Sequence, residues 1–229
     1  MVDAPLPAGE DKARAVRSMF DSIAPRYDLV NRVMTFGMDV GWRRRAVAGL
    51  QLVPGSLVVD VACGTGDFCR EIQKAGGTAV GLDVSLGMLR MARTSAPLVQ
   101  ADALRIPLRD SGVAAITCGF ALRNVVDIPA LFDEFARVLR PAGRVAVIEV
   151  AEPNAKVLRT GHHFYFHKIV PLIGGLLSDR DAYSYLPRST AYLPPTPDLL
   201  GMLESAGFQR ARSEVLGLGA AQLLTGTRS

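Results

Sequence analysis

From residue 56 onward, short apolar segments alternate with segments whose apolar residues recur at helical spacing. The apolar segments predict strands over residues 57–61, 78–82, 97–100, 113–118 and 144–150. The intervening segments predict helices over residues 68–74, 85–94 and 128–139. Nearly continuous apolar strands separated by helices are typical of a parallel sheet that helices cover on both faces. The pattern therefore predicts a doubly wound α/β fold.

The C-terminal part adds a predicted helix over residues 197–207 and two strands over residues 209–215 and 220–225. We expect these last strands to form an antiparallel hairpin at one edge of the sheet. The complete prediction is a mostly parallel, seven-stranded sheet of the Rossmann-like type.

Two regions stand outside this alternation. Residues 11–50 have a helical pattern, and residues 155–195 are aromatic, apolar and rich in proline. Both regions are predicted to fold over the carboxyl ends of the strands, where open α/β sheets bind ligands. The chain is thus interpreted as a single domain, residues 1–229. It has a helical N-terminal cover (11–50), a binding core (56–150), a substrate lid (155–195), and a closing helix with two strands (196–229).

Composition and charge narrow the class of protein only modestly. The 229 residues carry a formal net charge of +4, which permits contact with anionic membranes or nucleic acid without establishing either. No apolar run reaches the roughly 18–20 residues that span a bilayer. The first residues lack the basic and apolar segments of a secretion signal, so we expect none. Cys63, Cys69 and Cys118 form no CxxC pair, so we expect reduced thiols and a cytoplasmic protein.

A glycine turn follows the first strand, in the sequence VVDVACGTGDF. Gly64 and Gly66 let the backbone turn tightly and approach a ligand, with a helix N-terminus immediately after them. The dinucleotide fingerprint would need a third glycine where Cys69 stands, and the lysine of a P-loop is missing. The segment instead resembles motif I of class I S-adenosylmethionine-dependent methyltransferases, with Ala62 in place of the usual first glycine.

That resemblance implies S-adenosylmethionine as the cofactor and a set of residues that bind it. Asp83, at the end of the second strand, would accept the ribose hydroxyls, and Asp102 with Ala103, at the end of the third, would hold the adenine edge. A helix-capping role for Asp102 is the alternative. The predicted cofactor-binding residues are Asp60, Ala62, Gly64, Thr65, Gly66, Asp83, Asp102, Ala103 and Gly119.

Other segments resemble a narrower family, the C-methyltransferases of quinone biosynthesis. The matching segments are YDLVNRVMTFG over residues 27–37, GFALRNV over residues 119–125, RVLRPAGR over residues 137–144 with Glu149, and DAYSYL over residues 181–186. Ala121 and Ala142 stand where this family usually has glycine. The resemblance implies C-methylation of demethylmenaquinol or of the 2-polyprenyl-6-methoxy-benzoquinol precursor of ubiquinone. The Arg-rich, Lys-poor composition suggests a bacterium with GC-rich coding, and on that ground the prediction favours demethylmenaquinol. Another lipid or phenolic acceptor stays open.

Methyl transfer to a ring carbon requires a quinol that has lost a hydroxyl proton, and a fixed cation would stabilise the resulting negative charge. Arg123, after the fourth strand, is the predicted catalytic residue; the alternative is an arginine that only pairs with a carboxylate. Tyr27 and Asp28 are further catalytic candidates that would close the pocket, although Asp28 could also cap a helix.

The remaining predictions concern metals and partners. His163 and His167 are one helical turn apart but lack the glutamate of an HExxH motif, so no metal site is predicted. The three arginines at 43–45 suggest either a solvated helix face or contact with anionic lipid at the inner face of the membrane. The expected partner is a prenylated quinol. No nucleic acid is expected, because a basic stripe interleaved with aromatic residues is missing. An oligomer is left open.

Overall fold

The computed structural model describes residues 7–151, 153, 165, 185 and 187–229. Most of the predicted substrate lid, residues 155–195, and all three histidines lie outside the described residues. Within the described ranges, no helix is long and apolar enough to cross a bilayer.

One seven-stranded sheet forms the centre of the protein, in the order β3-β2-β1-β4-β5-β7-β6. The strands are β1 (Leu57–Val61), β2 (Thr78–Asp83), β3 (Leu98–Gln100), β4 (Val113–Gly119), β5 (Leu139–Val150), β6 (Phe208–Leu216) and β7 (Ala221–Arg228). The first five are mutually parallel, and β7 runs antiparallel between β5 and β6. The Rossmann-like α/β prediction is therefore confirmed. The final hairpin forms as expected, with β7 also paired to β5.

Helices cover the sheet and the carboxyl ends of its strands. They are α1 (Gly9–Ile23), α2 (Tyr27–Met34), α3 (Met38–Gly49), α4 (Asp67–Lys74), α5 (Leu86–Met91), α6 (Ile128–Val138) and α7 (Thr196–Ser205). The strand β5 begins at Leu139, earlier than the predicted start at residue 144, because Leu139 pairs with Val113 ahead of a bulge. The apolar pattern of 144–150 marks only the part beyond that bulge.

Two apolar layers sandwich the sheet. Side chains of α3 and α4, such as Val47, Phe68 and Ile72, pack on one face. Those of α6 and α7, such as Phe132 and Leu199, pack on the other. A smaller cluster, containing Val30 and Met88, joins α1, α2 and α5 beside the sheet. This third cluster packs α1 and α2 against α5. The remaining helix of the predicted N-terminal cover, α3, packs on a face of the sheet instead.

Asp60 is a buried acid near the carboxyl end of β1. Its carboxyl accepts a 2.8 Å hydrogen bond from the Thr117 hydroxyl on β4 and a 3.6 Å contact from the Cys69 thiol on α4. Burial raises the pKa of Asp60 to about 7, although the bond from Thr117 and the charge of Arg43 oppose that shift. The side chain therefore ties β1 to β4 and α4 inside the protein.

Two alanines adopt a left-handed backbone that disfavours any residue with a β-carbon. Ala62, after β1, has φ of 55°, and Ala142, in the bulged part of β5, has φ of 59°. These are two of the positions where the resembled families carry glycine. Ala121, the third such position, has an ordinary φ of −113°, so glycine is not required there.

Replacing Ala142 by glycine should therefore stabilise the protein. The left-handed conformation costs alanine about 1–2 kcal/mol, and the greater chain entropy of unfolded glycine cancels part of that gain. We expect Ala142→Gly to raise the free energy of unfolding by roughly 0.5–1 kcal/mol, measured by urea denaturation. The matched control, Ala121→Gly, should lower it; equal effects of the two changes would contradict the backbone argument.

Asp60 should make stability depend on pH. The pKa is raised from about 4 in the unfolded chain to about 7 in the folded one. The unfolded state therefore ionises first as pH rises, and the contribution of Asp60, complete below pH 4, is lost between about pH 4 and pH 7. Asp60→Asn should flatten this slope in urea-melt midpoints collected across that range. The exposed substitution Asp198→Asn should keep the wild-type slope, and an unchanged slope in Asp60→Asn would refute the assignment.

Candidate active site

A cavity opens at the carboxyl ends of β1, β2 and β4, beside the point where the strand order reverses. Its lining comes from the glycine turn and the strand ends, from α1 and α2, and from the segments after β3 and β4. It includes Ala13, Val16, Phe20, Tyr27, Ala62, Gly64, Asp83, Val84, Asp102, Ala103, Leu104, Gly119, Asn124 and Val125. The reversal of strand order is where doubly wound sheets bind their ligands. The cavity is therefore the candidate active site.

The carboxylate of Asp83 holds the glycine turn in place. One oxygen, Oδ2, accepts a hydrogen bond from the Gly64 amide, and Oδ1 accepts one from the Ser85 amide, both 2.8 Å long. Gly66, with φ of 85°, ends the turn and directly precedes α4. Burial raises the pKa of Asp83, and the bonds from the Ser85 and Gly64 amides oppose that shift. Each oxygen keeps a lone pair that a ligand hydroxyl could use.

The third and fourth strand ends supply the rest of the predicted cofactor wall. Asp102 and Ala103 line the cavity, and Asp102 Oδ1 accepts a 2.9 Å bond from the Leu104 amide. Asp102 thus shapes its own loop rather than capping a helix. At Gly119, an added β-carbon would lie 3.0 Å from Phe68 Cε2, so a side chain at that position would press against the Phe68 ring.

Other predicted residues support the cavity from behind. Asp60 of β1 and Thr65 and Gly66 of the glycine turn are not part of the cavity wall. The Thr65 hydroxyl donates to the Asp28 carboxylate. Asp28 lies in the first turn of α2. It therefore links α2 to the glycine turn, and its carboxylate is not part of the lining.

Tyr27, the first residue of α2, does line the cavity. Burial raises the pKa of its phenol to about 12, although the positive charges of Arg43 and Arg123 oppose the shift. The hydroxyl therefore stays protonated at neutral pH. It can donate a hydrogen bond to an oxygen in the cavity.

Arg123 lies in the short helical turn Leu122–Asn124, just behind the wall. Its guanidinium forms an ion pair with Glu149 at the end of β5, and both side chains are buried. Glu149 also accepts a 3.3 Å bond from the Arg123 amide and a 2.8 Å bond from the Val150 amide. Among the described residues, nothing accepts a hydrogen bond from Arg123 Nε. The pairing with a carboxylate is thus present, and one donor of the guanidinium is left over.

The sequence did not single out Asn124 or the lining part of α1. Asn124 lines the cavity, its amide nitrogen donates to Phe120 O at 3.3 Å, and its Oδ1 accepts from the Tyr185 hydroxyl at 3.4 Å. The α1 residues Ala13, Val16 and Phe20 recur at helical spacing. That spacing was a signal for a buried helix face, without indicating what the face covers.

The arginines at 43–45 do not form one solvated face, which corrects the simplest interpretation of that run. Arg43 is buried and forms ion pairs with Asp39 and with Asp67, the latter at 3.5 Å. Arg44 pairs with Glu71 at 3.2 Å, and Arg45 pairs with Glu214. Arg43 points inward because its guanidinium lies over the rings of Phe68 and Phe120, which leaves Arg44 and Arg45 at the surface.

Within the described part of the chain, no three His, Cys, Asp or Glu side chains are grouped closely enough to hold a metal ion. The three cysteines are free and buried. The predicted pair His163 and His167 lies outside the described residues.

Solved structures share the fold at low sequence identity. Magnesium protoporphyrin IX methyltransferase from Synechocystis PCC 6803, solved with bound S-adenosylmethionine, has a TM-score of 0.65 at 17% identity, with 97% of this chain and all of that chain covered. A S-adenosylmethionine-dependent methyltransferase from Aquifex aeolicus has a TM-score of 0.58 at 16% identity, with 82% and 89% covered. These likenesses identify the fold.

Relatives at higher identity cover nearly the whole chain. A demethylmenaquinone methyltransferase from Roseiflexus castenholzii is 42% identical, with 97% of each chain covered. One from Deinococcus radiodurans is 39% identical, with 98% and 97% covered. A ubiquinone/menaquinone biosynthesis C-methyltransferase from Geotalea daltonii is 38% identical, with 95% and 98% covered. Residues 8–228 match the ubiE/COQ5 methyltransferase family, and the chain belongs to that family.

Proposed function

We propose that this protein transfers a methyl group from S-adenosylmethionine to a ring carbon of demethylmenaquinol. The observation that carries the substrate is the 42% identity, over nearly the full length of both chains, to a demethylmenaquinone methyltransferase. Methylation of the benzoquinol precursor of ubiquinone is the second candidate. A relative named for both pathways, at 38% identity, favours keeping it.

The cavity has the donors and acceptors that S-adenosylmethionine needs. Asp83 presents carboxylate oxygens for the ribose hydroxyls, and the Gly64 backbone leaves room for close approach. Asp102 and Ala103 would lie along the adenine edge, between the apolar side chains of Val84 and Leu104. Asp60 and Thr65 would act indirectly, because neither lines the cavity: Asp60 ties β1 to β4 and α4, and Thr65 binds Asp28. Gly119 would leave space for the reacting groups.

S-adenosylmethionine, when bound, supplies an electrophilic methyl group on its sulfonium. What remains for the protein is to hold the quinol carbon in line and to stabilise the negative charge on its oxygen. Arg123 is suited to the second task, because its guanidinium cannot deprotonate and its Nε has no acceptor among the described residues. Glu149 would fix the orientation of that guanidinium. Arg123 would then act on the quinol oxygen directly or through a water that it orders.

Tyr27 and Asn124 would position the quinol, and Asp28 would act through the pocket wall. The protonated phenol of Tyr27 can donate to a quinol oxygen, and the Asn124 amide can donate or accept. Asp28 holds α2 on the glycine turn. After transfer, the ring carbon must lose its proton to restore aromaticity, and an ordered water or a carboxylate would accept it.

The substrate also bears on where the protein works. A prenylated quinol dissolves in the bilayer, so we propose a cytoplasmic protein that makes peripheral contact with the membrane. The surface arginines Arg44 and Arg45 already have carboxylate partners, Glu71 and Glu214. Any attraction of these two side chains to anionic lipid would therefore be partly neutralised.

The decisive experiment offers demethylmenaquinol and the benzoquinol side by side, both reduced, with S-adenosylmethionine labelled on its methyl group. We expect label in the menaquinol product. Asp83→Ala is the matched negative control, since it removes the proposed ribose acceptor and should abolish labelling together with cofactor binding. Label in the benzoquinol alone would select the second candidate, and label in neither would overturn the proposal.

Arg123 and Glu149 should be tested as a pair. Arg123→Met alone leaves a buried carboxylate without its partner, which should cost about 3–5 kcal/mol of stability. It should also lower kcat about 10²–10³-fold, by analogy with the loss of an oxyanion donor. The double variant Arg123→Met with Glu149→Gln removes both charges, so it should regain most of the stability and none of the activity.

Steady-state kinetics and urea denaturation of the three proteins separate these effects. If kcat returned with stability in the double variant, Arg123 would have only a structural role. Cofactor affinity should stay near wild type throughout, because the proposed cofactor contacts of Gly64, Asp83 and Asp102 lie at the ends of β1, β2 and β3, away from the Arg123 turn.

A further inference from the structure

Lys12 is a buried cation that the proposed chemistry does not use. Its side chain lies on α1 and is only 5% exposed. The ammonium donates a 2.7 Å hydrogen bond to the backbone carbonyl of Val125 and lies 3.8 Å from the centre of the Tyr192 ring. No carboxylate among the described residues pairs with it, and burial lowers the pKa of its ammonium. A desolvated charge is costly, so its position calls for an explanation.

The carbonyl that Lys12 binds belongs to the turn that carries the proposed catalytic group. Val125 is the residue at which the Leu122–Asn124 turn ends, directly after Arg123 and Asn124. On the other side, Glu149 holds the same turn through the Arg123 amide and side chain. The turn is thus held from β5 by an anion and from α1 by a cation.

Lys12 also lies where three segments of the chain meet. Tyr192, under its ammonium, ends the short turn Thr190–Tyr192, and the Tyr192 hydroxyl donates to the carbonyl of Pro7, just before α1. The N-terminal part of α1 is therefore fixed to the Arg123 turn and to the segment preceding α7. The adjacent α1 residues Ala13 and Val16 line the cavity.

The other end of α1 is fastened differently. The Asp21 carboxylate accepts a 2.6 Å bond from the Ser85 hydroxyl and a 2.8 Å bond from the Gly87 amide, both at the start of α5. This contact holds α1, which forms the roof of the cavity through Ala13, Val16 and Phe20, over the side that Asp83 lines. It makes no bond to the Arg123 turn, which gives α1 two attachments with separable consequences.

We propose that Lys12 is a positioning residue for methyl transfer, which fixes the position of the turn that carries Arg123 and Asn124 relative to the cavity. The proposal rests on the proposed function and assigns a role to a residue remote in sequence from the site. The cation binds the Val125 carbonyl, and the turn in consequence keeps Asn124 in the cavity wall and Arg123 directly behind it. Asp21 serves cofactor retention alone.

The test compares Lys12→Met, Lys12→Arg and Asp21→Asn in the full-length protein. Lys12→Met keeps an unbranched side chain of nearly the same length but loses the charged donor, so kcat should fall about tenfold, the equivalent of one charge-assisted hydrogen bond. Its KM for S-adenosylmethionine should change little. Lys12→Arg can still donate to Val125 and stack on Tyr192, and should restore most of kcat. Asp21→Asn should show the opposite split, with a raised KM and a kcat near wild type.

Hydrogen exchange with S-adenosylhomocysteine bound provides an arm that does not depend on the quinol. The amides of residues 123–125 should exchange faster in Lys12→Met and at the wild-type rate in Asp21→Asn. If Lys12→Met folds poorly, Tyr192→Leu, which removes the ring beneath the ammonium together with its hydroxyl bond to Pro7, should show a smaller change of the same kind.

The outcomes that would overturn the proposal are equally distinct. If Lys12→Met had a normal kcat and a raised KM, Lys12 would serve only to hold α1 over the cavity. If Lys12→Arg failed to restore kcat, the role of Lys12 would be purely steric. A wild-type protein that methylates neither quinol would refute the proposed function. The exchange rates at residues 123–125 would still decide whether Lys12 holds the turn.

Discussion

The ion pair between Arg123 and Glu149 fixes one wall of the cavity to the centre of the sheet. Glu149 ends β5, and Arg123 follows β4, so the pair joins the exits of two neighbouring parallel strands. Because both groups are buried, either charge alone would be strongly unfavourable. The turn after β4 therefore has one stable position, and every residue that it carries toward the cavity inherits that position.

Three strand ends carry an acid, and the surroundings of each acid give it a different task. Asp60 on β1 contacts the Thr117 hydroxyl and a thiol, and it is largely protonated at acidic pH. Asp83 on β2 receives two backbone amides and faces the cavity. Glu149 on β5 is neutralised by a guanidinium. The same carboxyl chemistry thus gives an interior tie, a ligand acceptor and a counter-ion, because the donors around each one differ.

The sequence predicted the sheet, the glycine turn and the cavity-lining acids, because these depend on local patterns. Apolar runs mark strands, and Gly64, Asp83 and Asp102 stand where parallel strands end, so their convergence follows from topology. What it left open depends on contacts between distant segments. Whether Arg123 has a carboxylate partner, which way Asp28 turns, and that Arg43 is buried cannot be inferred from spacing. Each is decided by a residue on another element: Glu149, Thr65 and Asp67.

The bond from Lys12 to Val125 spans 113 positions in the chain, and Tyr192 lies still farther along. Contacts of such long range close only after the intervening sheet has brought their ends together. We therefore expect α1 to dock late in folding, because the surface that receives it is built from residues much farther along the chain. Capture of a ligand beneath α1 would then mark the end of folding, since partly assembled chains lack the roof that retains it.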